Sequence, residues 1–127
     1  MFENIDPALF ARLKALLVPY APWLNVIDDQ PAKYHLETGY SEKWKKPLFF
    51  GSVVVQKNYI SFYLMAVYMY PDLLEGISPA LKKRMQGKSC FNFRQVDEVL
   101  LNELEALSRN SFNRFLQEGL VKTAARS

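Results

Sequence analysis

The chain is poor in the residues that staple or ligate. Among its 127 residues there is one cysteine, Cys90, and one histidine, His35. A single cysteine excludes an intrachain disulfide and points to a reducing, cytoplasmic setting. No His, Cys and carboxylate spacing matches a zinc or calcium loop. Long apolar runs are missing too. Lys57 and Asn58 interrupt the longest, which falls well short of the roughly 20 residues that span a bilayer. No basic-then-apolar leader opens the chain, because Glu3 and Asp6 already fall within residues 1–7. One-sided charge is also missing: 16 Lys and Arg against 13 Asp and Glu leave a net charge of +3. A whole-surface nucleic-acid binder would be more lopsided. Nucleic acid is therefore disfavoured as a partner, a membrane partner is not expected, and any anion site must be local.

What the chain has is apolar and aromatic mass. Half its residues are hydrophobic and 14% are aromatic, which suits a self-sufficient core and excludes disorder for the body of the chain. The pattern predicts one domain over residues 1–121 and a frayed basic tail over 122–127. Asp6-Pro7 is a helix start, followed at helical spacing by Leu9, Phe10, Leu13, Leu16, Leu17 and Tyr20. Pro19 and Pro22 end that helix. Asp28-Asp29-Gln30-Pro31 reads as a turn, residues 33–38 as a half-buried strand, and 39–46 as a basic loop.

A second strand over 48–55 contains Gly51, which marks a bulge or a close backbone approach. Residues 59–67 read as a third strand. One face carries Ile60, Phe62, Leu64 and Ala66, and the other Tyr59, Ser61, Tyr63, Met65 and Val67. That second face is expected to meet loops, a ligand or a second subunit, so a homodimer is one expected state. Residues 71–74 suit a single helical turn. Ser78-Pro79 starts a short helix over 80–86, with Gly87 as its stop, and 89–93 is a fourth strand. Asp97 caps a last helix with Leu100, Leu101, Leu104 and Leu107 on one side, which Ser108–Asn110 divides in two and Gly119 ends. The fold class that follows is α+β, a mainly antiparallel curved sheet of four or five strands with the N- and C-terminal helices packed on one face.

Chemistry-bearing groups are few. Gly87-Lys88-Ser89 lacks the first glycine of a phosphate loop and leads into a strand, so it is not one. His35 has no serine or cysteine nucleophile beside it in sequence, and Cys90 reads as a packed thiol. The hard-cation candidates are Asp28, Asp29 and Glu37, with Asp72 and Glu75 elsewhere; Asp97, Glu98, Glu103 and Glu105 read as an exposed helix face. Two basic clusters stand out. Lys82, Lys83, Arg84 and Lys88 form one; Lys43, Lys45 and Lys46, with Tyr40 and Trp44, form the other. Cations beside aromatic rings can hold a phosphate and stack a base, and Tyr59, Tyr63, Tyr68 and Tyr70 are available as pocket walls. The candidate ligand-binding residues are Tyr59, Tyr63, Met65, Lys82, Arg84 and Lys88, with no catalytic or metal-binding residue assigned.

Three segments also carry a family likeness. Phe49-Phe50-Gly51, then residues 57–64 (KNYISFYL), then 87–93 (GKSCFNF), with the helix from Asp97, resemble the YdhG-like family, a bacterial domain family of unknown function. The resemblance implies a small fold with a curved antiparallel sheet backed by helices. Some members are described as frataxin-like iron chaperones that bind iron through exposed carboxylates, so iron is the one cofactor the resemblance allows. The first helix here has only Glu3 and Asp6 near its start, and weak, exchangeable iron binding needs a carboxylate row. The expectation is a non-catalytic binding module for a small anionic ligand or a protein partner, with an iron chaperone as the alternative.

Overall fold

A turn at Asp6-Pro7 leads the chain into its first helix. In the computed structural model, which describes residues 5–121, Asp6 accepts the Ala8 N–H at 2.9 Å through its side chain and the Leu9 N–H at 3.0 Å through its carbonyl. Glu3 and the tail over 122–127 lie outside the described residues. Helix α1 (Leu9–Leu17) buries Leu9, Leu13 and Leu17, one per turn. It tightens into a 3-10 segment, Val18–Trp23, where Pro19 and Pro22 have no N–H to give.

Six strands form one antiparallel sheet in the order β1-β2-β3-β4-β6-β5. They are β1 (Asn25–Gln30), β2 (Lys33–Ser41), β3 (Lys46–Val55), β4 (Ile60–Leu64), β5 (Met85–Gln86) and β6 (Cys90–Phe93). The remaining helices are α2 (Met65–Met69), α3 (Pro79–Lys82) and α4 (Glu98–Gln117), with a 3-10 turn at Pro71–Leu74. One sheet face carries Leu36, Phe50, Val53, Ile60, Phe62, Leu64 and Phe91, all buried in a single core with the leucines of α1 and α4. Phe50 sets its ring edge-on to Phe112 and Phe115 of α4, with centroids 5.9 Å and 5.5 Å away.

At Gly51 helix α1 packs close against the sheet. A Cβ there would lie 3.0 Å from Leu17 Cδ2 and 3.2 Å from the Tyr63 carbonyl oxygen. The ladder also slips here. Leu36 pairs with Gly51 but Glu37 pairs with Phe49, so Phe50 is the extra residue of a bulge and turns into the core.

Several sequence expectations change. Asp28, Asp29 and Gln30 belong to β1, and the turn follows at Pro31-Ala32. Strand β2 continues through Ser41 and β3 begins at Lys46, because buried Thr38 binds across the ladder: its hydroxyl accepts the Leu48 N–H at 2.9 Å. The expected third strand stops at Leu64. The backbone turns helical at Met65, which buries Ala66 and Val67 instead of leaving Val67 on the far face. Helix α3 is only Pro79–Lys82, and Gly87, at φ 79°, turns the β5–β6 hairpin and does not cap a helix. Asp97 does cap α4, its Oδ1 accepting the Leu100 N–H at 3.2 Å, and α4 runs unbroken past Ser108–Asn110. Glu103 is half-buried and accepts both the N–H (2.9 Å) and the O–H (2.5 Å) of Ser78, which in turn caps α3 through Leu81 N–H at 3.1 Å.

Candidate ligand-binding site

Two turns far apart in sequence meet at one end of the sheet. The β2–β3 turn presents Lys43 and Trp44, and the β5–β6 turn presents Gly87 and Lys88. With Val67–Tyr70, Pro71, Leu74, Met85 and Glu118 they enclose an open cleft of about 760 Å³. The first turn is held from beneath. Ser41 is buried; its hydroxyl accepts the Trp44 N–H at 3.2 Å and its carbonyl accepts the Lys45 N–H at 2.7 Å. Closing it places Lys45 at φ 61°, a left-handed conformation that non-glycine residues rarely take.

The cleft is aromatic and cationic. Trp44 is 45% and Tyr68 53% exposed, so both rings offer free faces. Lys43 Nζ stands 5.9 Å from the Trp44 ring centroid, and Lys88 Nζ stands 5.9 Å from that of Tyr68. At that range the rings hold the ammonium groups weakly and leave their N–H donors available to a ligand. At Tyr70, which lines the cleft, Arg114 lies 4.8 Å over the ring and pairs with Asp72. Burial, then the nearby Glu118 carboxylate, push the Tyr70 hydroxyl above the ordinary tyrosine range, against Arg114. Glu118 is the acidic group in the cleft lining. A neighbouring hollow of about 460 Å³ shares Trp44, Tyr68 and Met69 with the cleft and adds Glu37, Phe49 and Met65.

The open face of the sheet continues from that hollow. Register places His35, Ser52, Tyr63 and Cys90 side by side across four strands. His35 stacks on Phe49 at 4.9 Å and shares a 3.0 Å contact between its Nε2 and Glu37 Oε2. Ser52 is its cross-strand neighbour, invisible from sequence spacing, yet Ser52 Oγ is buried with no hydrogen-bond partner among the described residues. A serine–histidine nucleophilic pair is thus not formed. Burial, then Cys90 beside it, raise the Tyr63 hydroxyl above its usual range. The Cys90 thiol donates to Asn92 Oδ1 at 3.3 Å.

The sequence-derived site residues fall in separate places. Lys88 lines the main cleft, Met65 the adjoining hollow, and Tyr63 the open face with its ring 6.3 Å from Phe49. Tyr59 and Arg84 line a third depression with Arg94. Lys82 ends α3, exposed, and lines none of these. Sequence reasoning left Lys43, Trp44, Tyr68 and Arg94 out of the candidate residues, because only strand pairing brings them beside Lys88 and Arg84. The hard-cation candidates Asp28 and Asp29 are engaged by lysines, Lys33 at 3.4 Å and Lys14 at 2.7 Å. Among the described residues no three His, Cys, Asp or Glu side chains gather around a common point. No helix of the described residues is long and apolar enough to cross a membrane. No family model, curated protein or solved structure matches this chain.

Proposed function

We propose that this domain is a non-catalytic binding module that takes a small anionic ligand carrying a flat ring in the Lys43/Trp44/Lys88 cleft. The observation that carries the reading is the convergence of two basic turns, from opposite halves of the chain, on one cleft with exposed indole and phenol faces. The ammonium groups supply charge-assisted donors for a phosphate or carboxylate, and Trp44 and Tyr68 supply stacking surface. The family resemblance is compatible with this but assigns no ligand, and no observation here favours the iron-chaperone alternative.

The test is a thermal-shift and calorimetric screen of nucleotides, sugar phosphates and acidic peptides at low and high salt. Lys88→Ala should weaken the best ligand roughly tenfold or more, the loss of one charge-assisted hydrogen bond, and added salt should do the same progressively. Trp44→Ala should weaken ring-bearing ligands and spare inorganic phosphate. Lys82→Ala is the internal control, because that side chain lies outside the cleft. Equal effects of Lys82→Ala and Lys88→Ala would sink the proposal and leave a diffuse basic surface.

A further inference from the structure

The far end of the β5–β6 hairpin carries a different arrangement, built from arginine. Ile60 pairs with Phe93 and Met85 with Phe91, so one further step of each ladder sets Tyr59 opposite Arg94 and Arg84 opposite Asn92. The second pairing is closed by Asn92 N–H donating to the Arg84 carbonyl at 2.8 Å. Alternation then puts Tyr59, Arg84 and Arg94 on the open face with Asn92, and these side chains do line one shallow depression of about 320 Å³. Arg84 and Arg94 are diagonal neighbours, a spacing long side chains bridge.

Among the described residues neither guanidinium makes an ion pair; the carboxylates that pair do so with Arg12, Lys14, Lys33, His35 and Arg114. Asp6 approaches Arg94 only through its backbone, its N–H donating to the Arg94 carbonyl at 2.8 Å, while its side chain serves Ala8. The Asn92 amide is held on both sides, its oxygen accepting from Ser61 Oγ at 2.7 Å and one N–H donating to Gln86 Oε1 at 2.6 Å. It is a fixed floor to the depression. Among the described residues the two guanidinium forks, the Tyr59 hydroxyl and the second Asn92 N–H remain as free donors.

We propose that Arg84 and Arg94, with Tyr59 beside them, form a second anion site, independent of the cleft, for the dianionic phosphate of a small molecule. Two forks can each grip two oxygens. A carboxylate has oxygens for one fork, whereas a phosphate has three terminal oxygens and a charge that matches two guanidinium groups. A lysine pair would supply point charges without the planar match.

Inorganic phosphate is the probe, titrated into the intact chain while the arginine Nε–Hε signals are followed by NMR. Saturable shifts at Arg84 and Arg94 are expected, stronger at pH 8 than at pH 5.5 as the probe becomes a dianion. Sulfate, doubly charged at both pH values, should bind equally at both, and acetate roughly tenfold more weakly than phosphate at pH 8. Arg94→Gln and, separately, Arg84→Gln should each weaken phosphate roughly tenfold or more, with Arg94→Lys only partly restoring it. Both side chains are exposed, so unfolding midpoints should stay at the wild-type value. Lys88→Ala should leave these shifts untouched, which separates this site from the cleft. Non-saturating shifts, acetate binding as tightly as phosphate, or full affinity in either glutamine variant overturns the proposal.

Discussion

The two faces of this sheet are a backbone apart and share every strand, yet they are built on different principles. Toward the helices stand Leu36, Phe50, Val53, Phe62, Leu64 and Phe91, all buried in the core. On the other side the same strands present His35, Glu37, Ser52, Ser61, Tyr63, Cys90 and Asn92, tied laterally by hydrogen bonds and stacked rings. The first face is held by exclusion of water, which scales with apolar area. The second is joined by directional contacts among most of its polar groups, although Ser52 and Ser61 are themselves buried. A sheet so divided stabilises the fold with one side and keeps its chemistry-bearing side chains on the other and at its margins.

The contrast is broken most severely on the helix side. Leu104→Ala removes a fully buried side chain where α4 meets the core and should cost about 2–5 kcal/mol in denaturant unfolding. A loss below about half a kcal/mol, the range of ordinary surface substitutions, would mean that α4 does not pack as described. Next comes Gly51→Ala. The new methyl must push Leu17 away or crowd the Tyr63 carbonyl, and a cost of about 1–3 kcal/mol is expected. Gly39→Ala, with no atom within 4 Å of its added Cβ, should stay close to wild type.

Neighbouring residues sharpen the contrast further. Val53→Ala strips two methyls from the core face and should cost about 1.5–3 kcal/mol. Ser52→Ala, one position away, removes a buried hydroxyl that has no partner among the described residues and should be neutral or slightly stabilising, because that hydroxyl is desolvated without a bond in return. If Ser52→Ala costs as much as Val53→Ala, the faces do not differ as claimed. The smallest effect is electrostatic. Arg12 grips Glu98 through two contacts of 2.8 Å and 2.5 Å, joining α1 to α4 at the surface. The hydrogen bond from Arg12 holds the Glu98 carboxyl below its ordinary range; desolvation opposes it, and the Arg12 charge adds the smallest pull. A depressed carboxyl contributes stability above its unfolded value of about 4.3, and that contribution is lost as pH falls through the lower folded value. The stability gap between wild type and Glu98→Gln should therefore be constant from neutral pH down to about 5 and close at more acid pH.

The covered face was legible in the sequence and the open one was not. Leu9, Leu13 and Leu17, the Leu100–Leu107 stripe, Asp97, Ser78-Pro79 and Gly51 all carry local signals, and the structure uses each as periodicity and capping predict. The switch at Met65 had no such signal: residues 59–67 alternate like a strand, and only the burial of Ala66 and Val67 in the assembled core favours a helix there. The two-residue strand β5 was lost for a similar reason, since its pairing with β6 is a tertiary fact. The candidate sites followed the same rule. Cationic and aromatic residue types were visible, but which of them share a hollow depends on the β2–β3 and β5–β6 turns meeting at one sheet end and on ladder register at the other.

The strand order has a consequence for how the chain acquires its shape. From β1 to β4 each strand pairs with its successor, so the meander can zip through short loop closures. Helix α1 joins α4 across a far longer span; Arg12 and Glu98 are 86 positions apart. During synthesis the meander is complete while the 20 residues of α4 are still unmade, so the part of the Phe50 face that α4 covers, and α1 does not, stays wet until the ribosome delivers them. A nascent chain stalled before Glu98 would be a sticky half-sheet, the species on which a chaperone would act.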